Sequence, residues 1–361
     1  MKKWFLYSPT YDSIFFFLPF VIAIVFALLT SSFFPEIAQS SLSPVWFLVF
    51  IIVFDVWHVW WTLYRAYFHK KNFSSHKKLL LIVTGVSFLT LGFLWIISLL
   101  SWREIYLYPV YFLAWMAVFH FIKQQVGFVL LYGKKEWWEY NHLVRRSDQV
   151  ITWMVTLIPM MYWWTHYDII SFEWFESWEF QILADIIPQI PFLWLIYFLG
   201  ILIYILSQIL FSMHWYRVNP LKYLYILGTA IVWYLWIVHY NSALLFGFGN
   251  VLVHGMNYYG IIIGSSLMEK ENYWKVFQKI IFKMIYLLVP CSLILFAFLE
   301  EFFWNQFVWR EDTRIFWDFF YGIHPPEIVT LWIITILGSI QLTHYILDRY
   351  IWRQSFGKVH S

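Results

Sequence analysis

PFLWLIYFLGILIYILSQILFSM, residues 191–213, decides the fold, because it contains no Lys, Arg, Asp, Glu or His. At about 1.5 Å of rise per helical residue, a run of this length exceeds a hydrocarbon core about 30 Å thick. In lipid the backbone must satisfy its own polar groups, so such a run has to be a transmembrane helix. Working outward, nine further stretches resemble it, at approximately 11–33, 45–65, 79–100, 106–132, 148–166, 221–240, 243–267, 280–299 and 327–350. The weakest break between neighbours is the hairpin at Asn241 and Ser242.

Composition agrees. Hydrophobic residues make up 61% of the 361 residues and charged residues 12%, about half the charged share of a soluble domain. The apolar runs extend from Phe15 to Ile351 with no polar block between them, which predicts one integral membrane domain over residues 1–361. Lys2 and Lys3 precede an apolar stretch from Ser13 to Thr30 without a small-residue cleavage site, so a retained first helix is expected. Cys291 is the only cysteine, which excludes disulfides within the chain and thiolate metal clusters. The net charge of +3 is dispersed among membrane segments, so nucleic acid is not an expected partner.

Charge placement sets the topology, since Lys and Arg collect in cytoplasmic loops. One side receives Lys2 and Lys3, Arg65 to Lys78, Lys134 to Arg146, Arg217 and Lys222, Lys270 and Lys275, and Arg353 and Lys358. The other holds Arg103, Arg310 and Arg314, with acidic loops from Asp168 to Asp185 and from Glu300 to Asp318. This alternation predicts an all-α polytopic bundle of about ten transmembrane helices with both termini cytoplasmic. The 25 Trp and 25 Tyr, many near span ends, read first as interfacial belts.

Ionisable groups inside hydrocarbon are costly and mark function. Four are histidines within expected helices: His58, His120, His254 and His344. By the charge topology, all four helices run from the outer side to the cytoplasm. Each His shares a helix face with polar neighbours three or four positions away: His58 with Asp55 and Thr62, His120 with Gln124, His254 with Asn257 and Tyr258, and His344 with Gln341 and Asp348. Four such faces in a chain this poor in charge suggest one shared site. Imidazole suits iron, zinc and copper. A ligating imidazole usually presents its other nitrogen to a carboxylate, amide or water, so Gln124, Asn257, Gln341 and Asp348 are expected to orient the ligands, and Tyr258 and Asp55 are candidates for proton transfer.

These motifs, in this order, resemble the bacterial Brp/Blh β-carotene dioxygenases. The likeness rests on an early mid-helix His58, the His120-Phe121 pair, a later His254 with a partner one turn on, and a last helix reading HYILDRYIWR from His344 to Arg353. It implies a multipass bundle, a non-haem iron held by histidines of several helices, and oxidative cleavage of a carotenoid to retinal. In the family, Gly-Leu-Pro-His-Gly surrounds the first His, where this chain reads Asp55-Val-Trp-His58. Two histidines stand one turn apart where this chain has His254 and Tyr258.

The expectation is therefore a metalloenzyme of the bacterial inner membrane. It would be an iron-dependent oxygenase acting on a lipid-soluble isoprenoid, carotenoid or acyl chain that enters from the bilayer. One alternative is a haem electron-transfer protein with axial pairs such as His58 and His344. Another is a proton-coupled transporter, against which stands the lack of an inverted repeat.

Overall fold

Ser8 caps the first helix by accepting the Tyr11 N–H at 3.2 Å, with Pro9 as the first helical residue, where its missing N–H costs nothing. The computed structural model describes residues 4–38, 51–68, 70–100, 107–136, 142–165, 190–214, 218–269, 280–309 and 326–357, and among them it is helical with no strand. Ten helices carry the architecture: α1 (Pro9–Phe33), α2 (Trp57–Leu63), α3 (Lys70–Leu100), α4 (Leu107–Gly133), α5 (His142–Thr165), α6 (Ile190–His214), α7 (Pro220–Trp233), α8 (Ala243–Glu269), α9 (Ile280–Trp304) and α10 (Glu327–Gly357). Wider π-helical turns interrupt or extend them at Ser13–Phe17, Ile51–Val56, Tyr64–Phe68, Tyr234–His239 and Asn305–Trp309. Hydropathy gives no sign of these turns.

Among the described residues seven segments are long and apolar enough to cross a membrane: Pro9–Phe33, His76–Leu100, Tyr108–Gly133, Phe192–Met213, Pro220–His239, Pro290–Val308 and Glu327–Asp348. In the most apolar windows of the second and fourth of these, 22% of residues are buried. Leu89, Ile203 and Phe93 stand 71%, 64% and 62% exposed. Water would penalise such surfaces and lipid does not, so the protein is an integral membrane protein. The other three expected spans, 45–65, 148–166 and 243–267, are helical where described but are not among the seven.

The expected span 280–299 lies within α9, and the helix runs on past its expected end, so that Glu300 lies inside α9, 2% exposed, instead of opening an outer loop. Apolar and aromatic residues on both sides carry the hydropathy past this carboxylate. The expected loop 168–185, and Arg103, Arg217, Lys270, Lys275, Arg310 and Arg314, lie outside the described residues.

The chain divides into two compact units, with boundaries inside α4 and α8. The first comprises Met1–Ser43 and Phe119–Gly260, the second Pro44–Val118 and Ile261–Ser361. In the first, α5 packs on α6 and α7, and α7 on α1. Its core is aromatic: the fully buried Tyr225 ring meets Phe20 at 5.1 Å, Phe128 at 5.3 Å and Tyr132 at 6.1 Å. Close packing of this kind holds membrane helices together where lipid removes the hydrophobic drive. Between the π-helical end of α7 and the start of α8, Asn241 adopts φ 46°, a conformation Asn tolerates. Its Oδ1 accepts the Trp163 indole N–H at 2.8 Å, and the expected hairpin break is there.

The first unit also buries ions. Lys222, read from sequence as a cytoplasmic-side charge, has a fully buried side chain, with Nζ 3.0 Å from Glu136 and 3.1 Å from Asp148. Tyr204 donates to Asp148 at 2.7 Å, and the Asn219 N–H to Glu136 at 2.9 Å. Buried charges persist where paired and hydrogen-bonded in this way.

In the second unit α3 and α10 form the main helix pair. A Cβ on Gly338 would come within 2.6 Å of Leu113 and 2.8 Å of Leu91, so glycine lets those side chains seat against α10.

Candidate metal site

Within the second unit, α2 and α10 bring two histidines together. His58, 1% exposed, and His344, fully buried, place their Nε2 atoms 3.0 Å apart, with the rings at 75°. Behind His58, Asp55 Oδ1 lies 3.8 Å from Nδ1. Asp55 therefore lies on the side of the His58 ring away from His344, at a separation longer than a hydrogen bond. It belongs to the π-helical turn Ile51–Val56, and a second such turn follows α2 at Tyr64–Phe68. Turns of this kind often accompany functional sites, because they redirect side chains that a regular helix would place elsewhere.

The carboxylate that ties these two helices was not among the expected site residues. Glu300 on α9 accepts the Trp60 indole N–H at 2.7 Å, and the Gln341 amide N–H at 2.7 Å. Trp60 follows His58 by two residues, and Gln341 precedes His344 by three, so Glu300 bridges the helices bearing the imidazoles. Gln341 was expected to orient His344 directly; instead its amide reaches Glu300. The available signal was an acid flanked by aromatic and apolar residues at a span end. Asp348, one turn beyond His344, is 5% exposed.

Within the first unit, α4 and α8 bring together the other pair. His120 is 5% exposed and His254 fully buried, with ring centroids 5.0 Å apart at 75°. The Phe121 ring meets His254 edge-on at 4.6 Å. Gln124 donates its amide to the His254 main-chain carbonyl at 3.0 Å, and Asn257 donates to the Tyr225 hydroxyl at 2.6 Å. Each amide nitrogen thus ties α8 to a neighbouring helix. Tyr258, a turn beyond His254, is 1% exposed.

The donors suit a borderline transition metal. Metal–imidazole bonds of about 2.1 Å at a right angle put two nitrogens about 3.0 Å apart, and the His58 and His344 Nε2 atoms stand 3.0 Å apart. Asp55, His58 and His344 each offer a ligand atom in groups able to hold a metal ion. On the second unit, α3 and α10 also leave an apolar groove of about 310 Å3, lined by Phe88, Phe93, Trp95 and Trp332 among others.

Comparison with protein families, with curated proteins and with solved structures finds no match to this chain.

Proposed function

We propose that this protein is a non-haem iron oxygenase of the bacterial inner membrane, acting on a lipid-soluble substrate through buried imidazoles. One observation carries the reading: two imidazole nitrogens 3.0 Å apart, in a membrane helical protein, with a carboxylate beside the second nitrogen of one ring. Iron held by His58 and His344, and by His120 and His254, would supply the activation of dioxygen.

The chain's own residues do the rest. Asp55 places a negative charge beside the Nδ1 side of His58, and Glu300 keeps α2 and α10 in register through Trp60 and Gln341. Fully or nearly buried imidazoles keep bulk water from the reacting groups, which favours chemistry that water would quench. The apolar groove between α3 and α10 supports recognition of an isoprenoid, carotenoid or acyl chain by shape and aromatic contact. Its boundary with lipid suits entry from the bilayer.

Metal analysis tests the proposal. Protein purified from iron-supplemented cells is expected to contain iron, and His58→Ala and His344→Ala to lose it. Wild-type protein with no bound transition metal would overturn the reading.

A further inference from the structure

Lys123 stands deep in a membrane span and on its lipid-facing surface. It lies ten residues before Gly133 and fifteen after Tyr108, the ends of one apolar span, so about 15 Å of helix separates it from the nearer end. The residue is exposed, and within a span that exposure is to lipid. A charge held there is costly and ordinarily marks function.

A lysine in a span ordinarily extends its stem to bring the ammonium toward the interface. Lys123 does the reverse. Side chains on a helix lean toward its N-terminus, and this one folds back over Phe119, one turn farther from the nearer end. Its Nζ stands 5.3 Å from the centroid of the Phe119 ring and 5.3 Å from that of Trp153 on α5. The two rings are 5.5 Å apart and inclined at 44°, so the ammonium rests against both. Ring faces hold a cation in place through their quadrupoles and carry no net charge.

The lipid side of this arrangement is open. Phe119 is 45% exposed. Gly127 lies one turn beyond Lys123 on the same face of α4, and a Cβ added there would meet nothing within 4 Å. An extended chain therefore has room to lie along α4 with its charged end on Lys123.

The chemistry of the occupant follows from sign and depth. A cation is repelled, and a hydrocarbon gains nothing from the ammonium. The phosphate of a phospholipid stays in the headgroup layer, about half a bilayer thickness away. A long-chain carboxylic acid joins one small anionic group to an apolar tail, and its carboxylate accepts charge-assisted hydrogen bonds from an ammonium.

We propose that Lys123, Phe119 and Trp153 bind the carboxylate of a long-chain carboxylic acid at the lipid-facing surface of α4 and α5, with the tail lying over Gly127. Lys123 follows His120 by three residues, so the two side chains leave neighbouring positions on one helix. On the oxygenase reading, on which this last step alone rests, the acid is the substrate class: an acyl chain or isoprenoid ending in a carboxylate.

Binding of tritiated palmitate to the full-length protein, in discs of zwitterionic phospholipid, tests this. The wild type is expected to bind it saturably, with displacement by unlabelled palmitate and none by hexadecanol, which has the same chain length and no charge. Lys123→Met keeps much of the stem and is expected to weaken binding about tenfold or more, as loss of a hydrogen bond to a charged group does. Lys123→Arg restores the cation and is expected to recover most of the binding. No saturable binding by the wild type, equal displacement by hexadecanol, or unchanged binding in Lys123→Met overturns the site. Displacement by phosphatidylglycerol in place of palmitate assigns it to a lipid headgroup and overturns the carboxylic acid. The measurement needs no metal and is made on iron-supplemented and metal-stripped protein alike. Bound palmitate without bound iron leaves the site standing and the oxygenase reading fallen, and bound iron without palmitate does the opposite.

Discussion

Replacing Lys222 with methionine is expected to destabilise the protein by about 3–5 kcal/mol, the range for breaking a buried ion pair on one side. Lys222 Nζ stands 3.0 Å from Glu136 and 3.1 Å from Asp148, with all three side chains fully buried. At an effective dielectric of about 20, each pair contributes roughly 5 kcal/mol of attraction. Mutual repulsion of the carboxylates and the loss of hydration, several kcal/mol per ion, offset most of this. Methionine keeps much of the lysine stem's volume, so the change isolates two carboxylates without opening a large cavity. Equilibrium unfolding in mixed detergent gives the free energy. The triple variant Lys222→Met, Glu136→Gln, Asp148→Asn is expected to recover most of the loss, because uncharged amides keep hydrogen-bonding capacity. A single variant within 1 kcal/mol of wild type, or a triple variant no better than the single, would refute the assignment of Lys222 as the counter-charge.

Glu136 gives a pH signature. Burial pushes its carboxyl above the ordinary value of 4.5, while Lys222 and the Asn219 N–H pull the other way. The folded chain then holds this proton more tightly than the unfolded chain, so stability falls as pH rises from 4.5 through the raised folded value. Glu136→Gln is expected to lack that fall, and identical pH slopes for both proteins would contradict it. At Gly249, an added Cβ would come 1.8 Å from the Trp236 ring, so Gly249→Ala is expected to cost about 1–3 kcal/mol through overpacking. A melting temperature equal to wild type would show that the indole has another place to go.

The helices were legible because the signal for a membrane helix is local: a long run without charge, as in residues 191–213, leaves the backbone no other solution. The histidines were legible for a related reason, since an ionisable group in such a run stands out residue by residue. Their pairing within each unit brings together helices that are far apart in sequence, and no local spacing encodes it. The burial of Lys222 is not legible, because charge topology treats every lysine as solvated, whereas this one is paired with two buried carboxylates. Glu300 reads as the start of a loop because an acid ordinarily ends an apolar run, whereas its aromatic neighbours continue the helix. Gln124 and Asn257 stand out in sequence as polar residues in apolar runs, and each amide nitrogen reaches a group on another helix. A helical face specifies direction, and which atom is met depends on a neighbouring helix that sequence does not show.

The 286 residues between His58 and His344 have a consequence for biogenesis. At about 5–20 residues per second, the ribosome needs roughly 15–60 s after making α2 to deliver the imidazole that α2 is built to meet. Throughout that interval a polar helix waits in the translocon or the lipid without its mate. Chains released before α10 would therefore strand His58 and Asp55 in hydrocarbon, a natural mark for membrane quality-control proteases to recognise.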